Sequence, residues 1–208
     1  MHGASQPLFH IEKSFLNKRI GKYHMSIHPM HKAFYSESLR FHCQSALNSS
    51  HIVSEFLKTP QAKSGRMDEI EGADDIILDN LQNLLIHSGA ISRYFWPSKT
   101  GAEGVHKSRS DELRVMYAIE DESSLKVRTL RNELEHFDEN LDKYLRDNPI
   151  VGVVIPSYVG MRPSTEDVPF HIFRAYFTDE GIFSVLGKEY ELQPIVTDLH
   201  KLFKKIVA

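Results

Sequence analysis

Residues 123–148 read SSLKVRTLRNELEHFDENLDKYLRDN, and apolar side chains recur through this stretch at spacings of three and four. That spacing is the period of an amphipathic α-helix, and it is sustained over about five turns. The pattern predicts one long helix that begins at Ser123 or Ser124 and ends before Pro149, because proline cannot continue the hydrogen-bond ladder. Its apolar seam consists of Val127, Leu130, Leu134, Phe137, Leu141 and Tyr144 or Leu145.

Three further helices are predicted before this one. Residues 31–58 form the first, which ends before Pro60, and residues 68–96 form the second, which ends before Pro97. Residues 97–110 contain glycine, proline and small polar side chains and are expected to form a loop. Ser108 or Ser110 would cap the third helix, from near Asp111 to about Glu120. The apolar stripes are Tyr35, Leu39, His42, Ala46, Val53 and Phe56 in the first helix and Ile77, Leu81, Leu84, Ile91 and Phe95 in the second.

After Pro149 the pattern changes to short segments rich in β-branched and aromatic residues, which favour strands. These segments are 150–160, 170–177, 181–186 and 189–192. Thr178–Gly181 and Gly187–Lys188 are typical of hairpin turns, so a small antiparallel sheet is expected. Residues 194–207 are predicted to form a closing amphipathic helix.

The fold class expected from these elements is mainly α, with an α+β organisation. Residues 1–30 are an N-terminal extension, 31–148 a helical bundle, and 149–208 a small antiparallel sheet with a closing helix packed on the bundle. With 208 residues and 41% hydrophobic side chains, the chain can bury a sizeable core. A single cysteine, no signal-like segment and no long apolar run favour a cytoplasmic protein without a membrane partner.

The formal net charge is −3, so an interaction with nucleic acid needs a local basic surface. The N-terminal extension offers one candidate, although a solvated terminus explains the same residues. The basic side chains there are Lys13, Lys18, Arg19, Lys22 and Lys32, interleaved with His24, His28 and His31. The histidine spacing also resembles that of metal ligands, but Pro29 interrupts it and no carboxylate or cysteine completes the set. No metal or cofactor is expected.

The long helix also carries a polar face. With Leu134 taken as the centre of the buried seam and 100° per residue, Asn132 and His136 lie about 160° away. Arg131 lies about 60° from the centre, on the same side as Arg128 and Glu135. His136 is therefore expected to face water or another protein.

These residues carry a resemblance to a known family. The stretch Arg131-Asn132-Glu133-Leu134-Glu135-His136 satisfies R-x4-6-H with a polar residue directly after the arginine. With the four helices, this motif on the last helix resembles the HEPN superfamily over about residues 31–148. The resemblance implies a four-helix up-down bundle in which the motif helices of two subunits line a shared cleft.

The resemblance further implies a metal-independent endoribonuclease of the toxin or phage-defence type, giving a 2′,3′-cyclic phosphate. His136 would be the general acid/base, Arg131 the phosphate clamp and Asn132 the positioning residue, with Arg128 and Glu135 binding substrate. A histidine titrates near neutral pH, and a guanidinium stabilises phosphorane charge. The implied partners are a second copy through the motif helix, RNA, and an antitoxin or other protein.

Two alternatives remain open at this point. The chain is either a non-catalytic HEPN-like dimer that binds nucleic acid, nucleotide or a protein partner, or a protein whose motif is coincidental and whose sheet edge recruits a peptide. A polar helix face is usually solvated, and Glu133, Glu135, Asp138 and Glu139 disfavour RNA unless they pair with Arg128 or Arg131.

Overall fold

The computed structural model describes residues 27–64, 69–97, 105–164 and 169–208. The helices there are α1 (Pro29–Leu57), α2 (Pro60–Lys63), α3 (Ala73–Phe95), α4 (Val105–Met116), α5 (Arg128–Glu135), α6 (Phe137–Asp147) and α7 (Gln193–Val207). The strands are β1 (Val153–Ile155), β2 (Tyr158–Gly160), β3 (Phe170–Ile172), β4 (Arg174–Phe177), β5 (Ile182–Val185) and β6 (Lys188–Glu191). The chain is mainly helical, with a small sheet and a C-terminal helix, as predicted. Its assignment to the HEPN bundle stays a prediction.

The helices α1 and α3 pack against each other and run antiparallel. Ser38 of α1 contacts Tyr94 of α3, whereas His42, one turn later, contacts His87, nearly two turns earlier. The predicted apolar stripes supply the contact, because their aliphatic members are buried. Those residues are Leu39, Ala46 and Val53 of α1 and Ile77, Leu81, Leu84 and Ile91 of α3. The helical period alone therefore located these two helices and their inner faces.

The closing helix α7 packs on α1, and its Leu199 and Leu202 are fully buried. Leu199 belongs to the same hydrophobic core as Leu84 of α3 and Phe183 of β5. The helices and the sheet therefore share one core in the described part of the chain.

The helix predicted over residues 123–148 is divided in two, so that part of the prediction was wrong. His136 leaves the helical conformation, with φ −114° and ψ 36°, between α5 and α6. The two halves pack on different surfaces: α5 contacts α3, while Tyr144 of α6 packs its ring 6.0 Å from that of Phe173, next to β4. The break at His136 allows each half to follow its own surface.

The start of α5 also differs from the prediction. Asp198 of α7 accepts hydrogen bonds from the Ser123 hydroxyl at 3.0 Å and from the Ser124 amide at 2.9 Å. These contacts hold both serines in a turn, and the helix begins only at Arg128. A tertiary contact has replaced the local cap that the sequence predicts.

The helix α4 begins earlier than expected, at Val105 rather than Asp111, and ends at Met116 rather than Glu120. Ser110, one of the predicted caps, lies inside the helix, where its buried hydroxyl donates to the Lys107 carbonyl at 3.1 Å.

The prediction of a wholly antiparallel sheet was wrong. Strands β4, β5 and β6 form the expected antiparallel meander, but β1 pairs with β3 and β2 with β4 in parallel. Val153 pairs with Phe170 and Tyr158 with Ala175, so both parallel pairs keep the same register offset. They resemble one parallel ladder interrupted at Pro156, which has no N–H to donate. A parallel pair needs a longer connection than a hairpin. Here 14 residues separate the end of β1 from the start of β3, and 13 separate the end of β2 from the start of β4.

Candidate functional site

Arg131 lies where α5 meets α3. Its aliphatic stem covers Gly89, where an added Cβ would come within 2.8 Å of Arg131 Cγ and Cδ. Its Nη2 donates to Asn132 Oδ1 at 2.7 Å, and its Nε lies 3.2 Å from Glu135 Oε2, close enough for an ion pair but without a well-aligned hydrogen bond. Only 19% of the side chain is exposed. The guanidinium is thus held by contacts on several sides.

Glu135 connects Arg131 to a second guanidinium on the neighbouring helix. Arg93 Nη2 donates to Glu135 Oε1 at 2.7 Å, and the Arg93 carbonyl accepts from Arg109 Nη2 at 2.9 Å. These contacts join α3, α4 and α5. A single carboxylate between two guanidinium groups leaves positive charge in excess around Arg131.

His136 lies at the junction between α5 and α6, and 57% of its side chain is exposed. Its Nδ1 is 3.5 Å from Glu139 Oε1, one turn further on. The outward position predicted from the helical period is confirmed, although the helix is broken at this residue. A carboxylate beside one ring nitrogen orients the imidazole and leaves the other nitrogen for a ligand arriving from solvent.

Asn132 is exposed, as predicted, and its carboxamide accepts from Arg131 rather than contacting the imidazole of His136. Its backbone carbonyl accepts from the His136 amide at 3.0 Å, so the helical turn between the two residues is intact. In this structure the Asn132 side chain orients the guanidinium. Its part in a reaction stays a prediction.

Arg128 is separated from this group. Its Nη2 donates to the Pro97 carbonyl at 3.3 Å, and its side chain lines a cavity beside Trp96 that is described below. The structure therefore joins Arg131, Asn132 and Glu135 by direct contact and places Arg128 one turn earlier.

Glu133, one of the carboxylates expected to crowd the motif, lies on the opposite face of α5 from Glu135. It is buried, and it accepts hydrogen bonds from Lys188 Nζ at 2.7 Å and from Asn140 Nδ2 at 3.2 Å. The charge near the motif is therefore less negative than the sequence indicates, because Glu133 binds the β6 strand and Glu135 pairs with Arg131.

A basic surface that the sequence analysis missed lies where the end of α3 meets α4 and the start of α5. It includes a cavity of about 360 Å³, here called the Trp96 pocket, lined in part by Trp96, Pro97, Lys107, Arg114, Lys126 and Arg128. A second cavity of about 330 Å³ adjoins Arg93 and Arg109 and includes Tyr35, His42 and Tyr94. The sequence predicts a loop over 97–110, whereas Lys107 and Arg109 lie on α4 in the structure. The basic surface was therefore not predicted. The basic and aromatic side chains of residues 93–96 were the feature of the sequence that could have indicated this surface.

Most of the basic residues predicted in the N-terminal extension lie outside the described residues, as does His24. Lys32 is described, and its Nζ forms an ion pair with Glu112 at 3.0 Å. His28 caps α1 by accepting from the Met30 amide at 3.3 Å. Within the described ranges, no group of three or more potential ligands is arranged to hold a metal ion.

Comparison with known proteins gives no match: no family model, no curated protein and no solved structure is significantly similar to this chain. In residues 27–64, 69–97, 105–164 and 169–208, no helix has both the length and the apolar character that crossing a membrane requires.

Proposed function

We propose that this chain is a HEPN-like, metal-independent endoribonuclease that acts as a homodimer in the cytoplasm, in a toxin or phage-defence role. The observation that supports this most is the placement of Arg131, whose aliphatic stem packs on Gly89 and whose guanidinium contacts Asn132 and Glu135. His136 follows at the end of the same helix with its imidazole exposed. Cleavage beside an RNA phosphate requires a positioned cation and a general base that both reach the same phosphate group.

In the proposed reaction, His136 takes the proton from an RNA 2′-hydroxyl. The 2′-oxygen bonds to the adjacent phosphorus, and Arg131 stabilises the added charge of the phosphorane by hydrogen bonds to its oxygens. The bond from phosphorus to the 5′-oxygen then breaks, and an imidazolium returns a proton to that leaving oxygen. The products are a 2′,3′-cyclic phosphate and a 5′-hydroxyl. Glu139, beside His136 Nδ1, orients the ring.

The proposal requires a second copy of the chain. On a single subunit the imidazole of His136 is exposed to solvent. Water and salt would then weaken the interaction between Arg131 and a bound phosphate. If two copies pack against each other through the motif helix with two-fold symmetry, both His136 side chains would lie in one cleft. Such an interface should bury more than roughly 1,000 Å² in total.

The test is incubation of the purified protein with single-stranded RNA in excess EDTA, followed by analysis of the new ends. We expect cyclic phosphate ends, and His136→Ala should lower the rate at least about 100-fold, the usual contribution of a general acid/base. Arg131→Ala should lower it by a similar factor.

The matched control is His51→Ala. His51 is also exposed on a helix next to a glutamate, with Nδ1 3.8 Å from Glu55 Oε1. Its loss should leave the rate unchanged. Cleavage that survives His136→Ala, or that disappears equally with His51→Ala, rejects the assignment of the site.

The second candidate is a non-catalytic HEPN-like dimer that binds nucleic acid, nucleotide or a protein partner such as an antitoxin. Glu135 favours it, because this carboxylate already occupies both Arg93 and Arg131, where a phosphate would otherwise bind. Dimerisation and RNA binding without any cleavage would select this candidate.

A further inference from the structure

The Trp96 pocket lies one turn before Arg131 on α5 and is distinct from the motif surface. Part of its wall is apolar, formed by Phe95, Trp96 and Pro97. Four cationic side chains line the rest: Lys107 and Arg114 from α4, Lys126 from the chain that leads into α5, and Arg128 from the start of α5. The acidic residue Asp111 of α4 also lines the pocket. Its volume of about 360 Å³ falls in the range of sites for small ligands.

Two of the four cations are neutralised by neighbouring carboxylates. Lys107 Nζ lies 2.6 Å from Asp111 Oδ2, and Arg114 Nη2 lies 2.8 Å from Asp121 Oδ1. Asp121 also accepts from the indole of Trp96 at 3.3 Å. The hydrogen bonds from Trp96 and Arg114 lower the pKa of its carboxyl group, and the positive charges of Arg114 and Lys126 lower it as well. Asp121 is therefore already matched by Arg114 and by the edge of the indole.

The other two cations, Lys126 and Arg128, have no carboxylate within ion-pair distance among the described residues. Within the described part of the chain, Arg128 donates to the Pro97 carbonyl alone, at 3.3 Å, and Lys126 Nζ lies 5.9 Å from the centre of the Trp96 ring. Both side chains are exposed. Four cations and the two carboxylates of Asp111 and Asp121 thus leave an excess of positive charge beside an aromatic wall, although the whole chain has a net charge of −3.

The start of α5 lies at the same pocket, because Arg128, the first residue of the helix, is part of its wall. The helix begins at Arg128, and Val127 before it gives no side-chain cap to the first amide groups. Uncapped amides at a helix N-terminus favour an anion. They supplement the two side chains and do not replace them.

We propose that the Trp96 pocket binds a nucleoside phosphate, with the phosphate on Lys126 and Arg128 and the base or ribose against Trp96 and Pro97. The ligand is either a free mononucleotide or one unit of an RNA strand, since both present the same chemistry. Binding does not depend on catalysis. Only the idea that the pocket anchors a strand next to Arg131 rests on the proposed nuclease function.

Trp96 is the one tryptophan of the sequence, so the intrinsic fluorescence of the full chain reports directly from this pocket. The protein is titrated separately with 5′-AMP, single-stranded hexaadenylate RNA and inorganic phosphate. The loss of fluorescence caused by light absorption of the ligand is corrected by a parallel titration of free tryptophan amide. We expect a saturable change with AMP, with hexaadenylate or with both, and a weaker affinity at higher salt. Saturation by hexaadenylate alone identifies a strand as the source, and equal saturation by both identifies the nucleotide unit.

The decisive variant is Lys126→Glu with Arg128→Glu, which should raise the half-saturating concentration at least about tenfold, the effect of losing a charge-assisted hydrogen bond. Lys126→Gln alone should raise it less, and it serves if the double variant does not fold. Lys143→Glu changes an exposed lysine on α6 and should titrate like the unmodified chain. Equal titration of the double variant and Lys143→Glu overturns the proposal. So does the absence of saturation with AMP and hexaadenylate, or saturation by inorganic phosphate with the same affinity as AMP.

The nuclease proposal fails separately. His136→Ala should still bind AMP or hexaadenylate in the Trp96 pocket, because His136 is not part of its wall. If the unmodified chain binds AMP or hexaadenylate but cleaves no RNA, the nuclease proposal is rejected and the pocket proposal stands. If cleavage depends on His136 but neither ligand binds, the pocket proposal is rejected and the nuclease proposal stands.

Discussion

Glu133 and Glu135 are identical side chains two positions apart on α5, and the fold gives them opposite surroundings. The side chain of Glu133 is only 12% exposed and binds Lys188 of β6, whereas that of Glu135 is 42% exposed and lies between Arg93 and Arg131. Two residues of helix rotate by about 200°, which places the two carboxylates on opposite faces. One therefore attaches the motif helix to the sheet, and the other orients the guanidinium of the candidate site.

The largest effect expected from this comparison is on stability. Glu133→Ala should lower the free energy of unfolding by about 1–2 kcal/mol, because it removes hydrogen bonds to Lys188 and Asn140. The loss stays below that of a fully buried ion pair, since Lys188 is half exposed and can return to water. Urea denaturation measures the difference.

Glu135→Ala is the matched control and should change the free energy of unfolding by less than about 0.5 kcal/mol, as is usual for exposed ion pairs. Equal losses for the two variants would contradict the division of α5 into a structural face and a functional face.

The next effect concerns the rate of RNA cleavage, if the proposed function holds. Glu135→Gln should lower kcat about tenfold, because Arg131 loses the charged partner that positions it. KM should not rise, since a negative charge near the phosphate has been removed. A rise in KM at constant kcat would instead mark Glu135 as a direct substrate ligand.

A smaller effect is expected at Gly89. Gly89→Ala places a Cβ against Arg131 Cγ and Cδ, so the guanidinium must shift, and kcat should fall roughly fivefold. Alanine favours a helix over glycine, so the melting temperature should not fall by more than a few degrees. A large loss of stability with unchanged kcat would show that Gly89 serves packing alone.

The smallest effect extends the comparison to histidines. His42 and His87 contact each other through their Nδ1 atoms at 3.0 Å, and burial lowers the pKa of each below 6.5. The charge of a protonated His87 also lowers the pKa of His42, and Arg93 and Arg109 line the same cavity as His42. Below about pH 6.5 the unfolded chain therefore binds protons that the folded chain does not, so stability is retained above this pH and lost as the pH falls through it.

Urea denaturation near pH 7.5 and about pH 5.5 measures this loss. The variant His42→Asn with His87→Asn should show less of it, whereas the exposed His51→Ala should show as much as the unmodified chain. A double variant with the same pH dependence would assign the loss to other groups.

Local patterns predicted α1, α3, α7 and the meander, because each follows from the spacing of nearby side chains. The stripe that includes Leu39 and Ala46 is buried against the seam that includes Leu81 and Leu84, as the helical period requires. The exposed positions of Asn132 and His136 followed from the same rule. These features depend on residues within two or three turns of one another.

The break at His136 and the Trp96 pocket could not be predicted in this way. The break separates a helix that packs on α3 from one that packs near β4, and the apolar seam is continuous across both. The pocket brings Trp96, Arg114 and Lys126 together from three separate stretches of the chain. The spacing of residues along the sequence does not show which distant stretches of the chain come into contact.

The sequence by itself determined where α1, α3 and α7 form, which of their faces are apolar and which short motif offers an arginine, an asparagine and a histidine, because helical period and turn chemistry act over a few residues. Only the tertiary structure decided that Glu133 is buried while Glu135 pairs with two arginines, that Ser123 binds Asp198 rather than capping a helix, and that basic residues surround Trp96. These outcomes depend on contacts between residues far apart in the chain, where packing and charge pairing outweigh local preference.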